Sequence, residues 1–213
     1  MIKEVSHRYR ALLNGQPLHL PADALNFFDV CCWEQSQIAT DAFAAQREYW
    51  LKQLGGALPV LALPIVTGEP AMGGQRHVFH ITTPVATAFT DLCSALSVTP
   101  FMGYMSVWQL VLGWWCHQDD IIVGTPAGHR ADPALTNVIG FMVNSLAIRT
   151  HLDREQSFTQ LAQQVRLTCL DAYINQDIPF DQVVSLLRPR RSDAESSPIY
   201  RSWFVLHDVP VPQ

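Results

Sequence analysis

Thr99-Pro100-Phe101-Met102-Gly103-Tyr104-Met105-Ser106-Val107-Trp108-Gln109-Leu110-Val111-Leu112-Gly113-Trp114-Trp115 opens the stretch that decides the fold class; it runs through Ile121-Ile122-Val123 and ends at Ile139-Gly140-Phe141-Met142-Val143-Asn144-Ser145-Leu146-Ala147-Ile148-Arg149. Thr99 can cap a helix whose first turn holds Pro100, where a missing N–H costs nothing. Phe101 to Trp115 is then apolar almost all round, as in a core helix. His117-Gln118-Asp119-Asp120 makes a polar corner before the β-branched run Ile121-Ile122-Val123. Gly124-Thr125-Pro126-Ala127-Gly128-His129-Arg130 predicts a break from regular structure and a ligand-facing loop. The apolar segment that follows is interrupted by one amide, Asn144. Burying an unpaired amide costs roughly 1 to 3 kcal/mol, so Asn144 needs partners.

Working outward, Ile2, Val5, Tyr9 and Leu12 recur at helical spacing, and Asn14-Gly15 closes that helix. A second helix is expected from about Ala22 to Glu34 and a third from Asp41 to Leu54, with Tyr49, Trp50 and Leu54 in a core and Gly55-Gly56 as the stop. Asp29 lies inside an aromatic run, either as a buried partner for a basic group or facing solvent. Residues 57–74, rich in proline and glycine, read as a linker. His77-Val78-Phe79-His80-Ile81 alternates like a strand. Thr83 and Pro84 then open a helix striped by Val85, Phe89, Leu92, Cys93 and Leu96. Ser157-Phe158-Thr159-Gln160 has capping-box spacing at the head of a long helix striped by Phe158, Leu161, Val165, Cys169, Ala172 and Tyr173. A short helix over Gln182 to Leu187, a basic loop over Arg188 to Ser197 and a strand over Ile199 to Leu206 complete the reading. The class is α/β, a mixed sheet flanked by helices, with few strands and an incomplete look.

At 213 residues, 48% hydrophobic and 15% charged, the chain can bury a substantial core but has apolar surface to spare. Its net charge of −5 and its lack of long basic runs argue against a nucleic-acid partner. Cys31, Cys32, Cys93, Cys116 and Cys169 lack CxxC spacing, which favours free thiols in a reducing compartment. The N-terminus has no signal-peptide core, and no segment reaches the roughly 20 apolar residues of a membrane span, so a cytoplasmic location without membrane is expected. There is no phosphate loop, GxSxG elbow or HExxH, and the eight histidines show no metal spacing. His77 and His80 would point to opposite faces of a strand. No catalytic or metal-binding set follows from the residues themselves.

Four blocks carry a resemblance. Phe27-Phe28-Asp29-Val30-Cys31-Cys32-Trp33 is similar to YxD(F/Y)AVW. Ile139 to Arg149 is similar to (I/V)GxFVNTxxxR, with Met142 and Ser145 as departures. Asn175-Gln176-Asp177-Ile178-Pro179-Phe180-Asp181 is similar to (H/N)QDxPFE, and the stretch around Arg191 to Ile199 loosely follows RDxSRNPL without its second Arg. Gln118 to Pro126 and Arg130 fit between them. In this order the blocks resemble the condensation domains of nonribosomal peptide synthetases, members of the chloramphenicol-acetyltransferase-like superfamily.

The resemblance implies a partial fold of that kind: residues 1–56 as the helical end of an N-terminal lobe, 57–74 as linker, and 75–213 as an incomplete C-terminal lobe. It implies amide formation between thioesters carried on the phosphopantetheine arms of carrier proteins, with no cofactor in the chain itself. The family's histidine motif, HHxxxDG, occurs nowhere in the sequence. The expectation is therefore a truncated domain, inactive in isolation. Alternatives are a non-catalytic platform that recruits a carrier protein or tailoring enzyme, and a half-enzyme completed by a separate N-terminal half. Expected partners are carrier proteins, neighbouring synthetase domains, the missing lobe or a second copy. By motif match, Trp33, Asn144, Gly140 and Ser145 line the substrate tunnel; Asp29, Arg149, Gln176, Asp177, Pro179 and Phe180 serve structure. Each has a plainer reading: Trp33 as a core aromatic, Asn144 as a loop-capping amide, Gln176 and Asp177 as helix-terminus caps, Arg149 as paired with a carboxylate or solvated.

Overall fold

A computed structural model describes residues 2–16, 25–63, 74–128, 132–187 and 199–207. The loosely matching block at Arg191 to Pro198, the pair His129-Arg130, and most of the 57–74 linker lie outside the described residues. Two compact units divide the chain: Met1–Ala45 with Gly128–Val143, and Gln46–Ala127 with Asn144–Gln213. Residues 46–56, which the sequence groups with the helical lobe, belong to the second unit.

In the first unit, α1 spans Ile2–Leu13 and stops at Gly15, whose φ of +62° is the left-handed conformation a helix stop uses. Its stripe is not a core: Val5, Tyr9 and Leu12 are exposed, and Ala11 is its buried apolar residue. Helix α2 covers Phe27–Ala39 and starts later than expected because Asn26 caps it, accepting from the Phe28 and Asp29 N–H groups.

The second unit holds most of α3, Ala44–Gln53, and all of α4, Thr83–Ala95. Trp50 and Leu54 are buried as expected, whereas Tyr49 is half-buried. The cap of α4 is Thr82 rather than Thr83, and its side chain makes no capping bond. Of the α4 stripe, Cys93 is buried, while Val85 and Leu92 are exposed.

Helix α5, Pro100–Cys116, begins as the sequence predicts, with Thr99 Oγ1 accepting the Met102 N–H at 3.2 Å. It is not buried all round. Met102, Met105, Gln109, Leu112 and Cys116, spaced by three and four, form one buried face. Val107, Leu110, Val111 and Trp114 form an exposed one, with Trp114 at 77% exposure. The buried side packs on α4 and on α6, Phe158–Ile174. Gly103 and Gly113 sit on that side because a Cβ would overlap Cys93 and Phe89 at the first and Leu152 at the second. No single helix among the described residues is long and apolar enough to cross a membrane.

Strand β1 runs Asp120–Gly128, so the expected break after Val123 is wrong. Gly124 stays extended because β3, Ser202–Trp203, pairs with β1 in parallel there, Val123 opposite Ser202 and Gly124 opposite Trp203. A hydrogen-bonded ladder satisfies backbone that glycine and proline leave conformationally free. Strand β2, Val143–His151, lies on the other side, giving the order β2-β1-β3. The Leu152 N–H donates to the Asp119 carbonyl at 2.6 Å, joining the end of β2 to the start of β1 and making the sheet mixed. Gln109 on α5 donates to the Ile148 carbonyl at 3.0 Å, tying the helix to β2.

One strand expectation fails and a second holds over part of its length. His77–Ile81 has no regular structure, and Val78, Phe79 and Ile81 are exposed, Phe79 at 72%. Alternation makes a strand only where a neighbour supplies the ladder. Only Ser202–Trp203 of the predicted 199–206 strand pairs. By contrast, the Ser157 capping box of α6 is present with both bonds, and Leu161, Val165, Cys169 and Ala172 are buried along one face. Helix α7 spans Phe180–Leu187, two residues earlier than predicted.

Candidate functional site

The second unit gathers the motif residues around one amide. Asn144 Nδ2 donates to the carbonyls of Gln176 and Ile178, both at 2.8 Å. Its Oδ1 accepts the backbone N–H groups of Ser145 at 2.8 Å and Phe180 at 3.1 Å. Two donors and two lone pairs are thus all used, the most an amide can make. Asn144 has the geometry of a loop-capping amide, and it joins two sequence blocks more than thirty residues apart.

The same loop is gripped from α3. Gln46 Oε1 accepts the Ile178 N–H at 2.9 Å, and Gln46 Nε2 donates to Asp177 Oδ2 at 3.1 Å. Trp50 Nε1 donates to the Asn175 carbonyl at 2.8 Å. Asn175 itself is the C-cap of α6. Gln176 and Asp177 therefore serve as anchor points for Asn144 and Gln46 rather than as the α6 cap. Pro179 offers its carbonyl to the Gln182 and Val183 N–H groups and so opens α7. Phe180 follows, its ring 5.5 Å from that of Tyr200.

Arg149 takes the carboxylate reading. Its Nε and Nη2 reach Asp120 Oδ1 at 3.0 Å and Oδ2 at 2.7 Å, a bidentate pair. Nη1 also donates to the carbonyls of Gln53, the last residue of α3, at 3.3 Å and of Gly55 just beyond it at 3.0 Å. A cation there satisfies carbonyls that a helix end leaves unpaired. The Asp120 hydrogen bond raises the guanidinium pKa further, against the opposing effect of burial.

In the first unit, Asp29 is the N3 residue of a capping box and accepts the Asn26 N–H at 2.9 Å, in agreement with its solvent-facing reading. Trp33 is 47% exposed, so it is not a core aromatic. Gly140 lies against Phe27, where a Cβ would overlap the ring. The glycine of one block is thus required by the first residue of another. Trp33 and Gly140 belong to this unit, Asn144 and Ser145 to the second.

Gln46 and the pairing role of Asp120 escaped sequence reading, and Trp50 was read as a core residue without its hydrogen bond. Gln46, Trp50 and Gln53 recur at spacings of four and three on α3, one face carrying three hydrogen-bonding side chains, and that pattern was legible. Asp120 stands in a run of two acids and shows no preference for Arg149 until the strands pair. Among the described residues, no three His, Cys, Asp or Glu side chains cluster as a metal site.

The fold is similar to that of about half of the solved X-domain from teicoplanin biosynthesis, with a TM-score of 0.81 at 20% identity over 92% of this chain and 45% of that one. The condensation domain of the monacolin K polyketide synthase MokA gives 0.72 at 16% identity, over 91% and 47%. Sequence narrows the class: residues 1–210 match the condensation-domain model, and the chain belongs to the condensation-domain family. It is 32% identical to the malpinin synthetase of Mortierella alpina over 96% of its own length and 3% of that protein. To the phosphinothricin tripeptide synthetase PhsC of Streptomyces viridochromogenes it is 31% identical, over 97% and 19%. The chain thus spans less than half of the solved domains and a few per cent of the malpinin synthetase.

Proposed function

We propose that this chain is the scaffold side of a condensation tunnel, in which an amine held on one carrier protein attacks a thioester held on another. The observation that carries this reading is the Asn144 bracket, in which two family blocks are bonded to each other through every polar atom of one side chain. Its role is positional. Holding two tethered reactants in line is worth roughly 7 to 11 kcal/mol in favourable cases, without any proton transfer. Within the second unit, Asn144 and Ser145 are assigned to the tunnel wall. The carrier arms, phosphopantetheine by family resemblance, would bring the substrates, in the cytoplasm. A general base must come within hydrogen-bond reach of the amine. With no HHxxxDG in the sequence, that base comes from another polypeptide or segment, and the chain alone makes no amide bond.

Mixing the chain with a polypeptide bearing HHxxxDG and two loaded carrier proteins tests this. Dipeptidyl thioester should form in the mixture and not with either part; its absence at every ratio refutes the tunnel reading.

A second reading, a non-catalytic recruiting platform, draws on the X-domain likeness, since a teicoplanin X-domain has been solved in complex with OxyB. Specific capture of a carrier protein or a tailoring enzyme, with no condensation in the mixed assay, would favour it.

A further inference from the structure

Beyond the Asn144 bracket, the second unit carries three aromatic rings in successive contact. Phe180 and Tyr200 lie 5.5 Å apart between centroids, and Tyr200 and Trp203 another 5.5 Å, all tilted rather than face to face. The row is built on β1. Gly124 pairs with Trp203 across the ladder, and a Cβ on it would overlap both the Tyr200 and Trp203 rings. Glycine at this one position therefore lets the rings rest on the strand.

On the neighbouring residue, buried Ser202 accepts from Trp108 Nε1 at 2.8 Å, which ties that side of β3 to α5. Successive side chains of a strand point to opposite faces, so Trp203 projects from the face away from α5. Although Tyr200 packs against it at a tilt, Trp203 remains 44% exposed. Indole rings bury large areas when a partner is available, and offset or tilted ring pairs add favourable contact beyond area. The row is also continuous with the bracket, because the Phe180 N–H is one of the four groups held by Asn144.

We infer that Phe180, Tyr200 and Trp203 form a recognition wall that selects an aromatic side chain on the tethered substrate, with Gly124 as the residue that permits it. This rests on the tunnel reading above and gives it a substrate class. The row supplies stacking partners in series, and the exposed indole supplies the open end on which a further ring would continue the stack.

The test is binding to the 213-residue chain. Non-hydrolysable phenylalanyl- and alanyl-pantetheine amides are titrated by NMR, each with its α-amine free and with it acetylated; the two forms separate an acceptor-like from a donor-like substrate. The phenylalanyl probe should bind about tenfold more tightly than the alanyl one in at least one form. Trp203→Ala should abolish the preference, Gly124→Ala should reduce it by displacing the rings, and Trp114→Ala on α5 should leave it intact. Equal affinity for the two side chains, or a preference that survives Trp203→Ala, overturns the wall while pantetheine binding keeps the tunnel reading standing. Failure of every pantetheine probe to bind overturns the wall, while the tunnel reading stands or falls on the mixed condensation assay.

Discussion

Replacing Asn144 with Ala would remove both donors and the acceptor from a loop that has no substitute for them. Three backbone groups of that loop, the carbonyls of Gln176 and Ile178 and the N–H of Phe180, lose their partner at once. A net hydrogen bond is worth about 0.5 to 1.5 kcal/mol, and a buried group left unpaired costs about 1 to 3. Ile178 is buried, whereas Gln176 and Phe180 are only partly so and water can reach them. The expected loss is therefore about 2 to 3 kcal/mol rather than the full sum. In urea, with a slope of about 2 kcal/mol/M, the midpoint should fall by about 1 to 1.5 M with the slope unchanged. Tryptophan fluorescence follows it, and Trp50, bonded to Asn175 in the same loop, reports the loop directly. Gln46→Ala removes the second grip and should act non-additively with Asn144→Ala, because both hold Ile178. A midpoint shift under about 0.3 M for Asn144→Ala would refute the bracket, as would simple additivity of the pair.

Arg149→Lys should cost about 1 to 2 kcal/mol in the same assay despite keeping the charge, since an ammonium cannot make the bidentate contact with Asp120 and also reach the Gln53 and Gly55 carbonyls. A neutral result would mean that charge alone is at work. Gly113→Ala should lower the melting temperature although alanine is the better helix former by about 1 kcal/mol, because its Cβ would overlap Leu152 and the Gln118 carbonyl. An increase would show that α5 can shift away. In a thiol titration of the native chain, exposed Cys32 should react first, and Cys93, Cys116 and Cys169 only on unfolding; rapid native labelling of Cys169 would contradict its burial. Burial pushes the Cys169 thiol up from 9.0 to about 12, and Tyr173 from 10.0 to about 12. The folded state holds these protons after the unfolded state has released them, so their contribution to stability should be steady below pH 9 and fall between about pH 9 and 12. A flat urea midpoint across that range would refute this.

Much of the fold was legible where the signal is local. Thr99-Pro100 and Ser157 to Gln160 name their helix starts because a cap needs only residues three apart. Asn144 announced itself as an amide in apolar company, and the demand for partners was correct. The partners themselves were not legible: Gln176, Ile178 and Phe180 are defined as such only when β2 passes the turn after α6. The same holds for Arg149, whose carboxylate lies on another strand. His77–Ile81 shows the opposite failure, a strand pattern without a ladder to join.

The order of motif blocks, the helix caps, the free cysteines and the apolar excess are properties of the chain as written, because each depends on neighbours a few residues away or on composition. That Gly124 extends rather than turns, that α5 buries one face and leaves the other bare, and that one amide binds two distant blocks were decided by tertiary structure. Hydrogen-bond ladders and side-chain overlap act between residues that sequence separation keeps apart, and only the folded backbone brings them within three ångströms or so of each other.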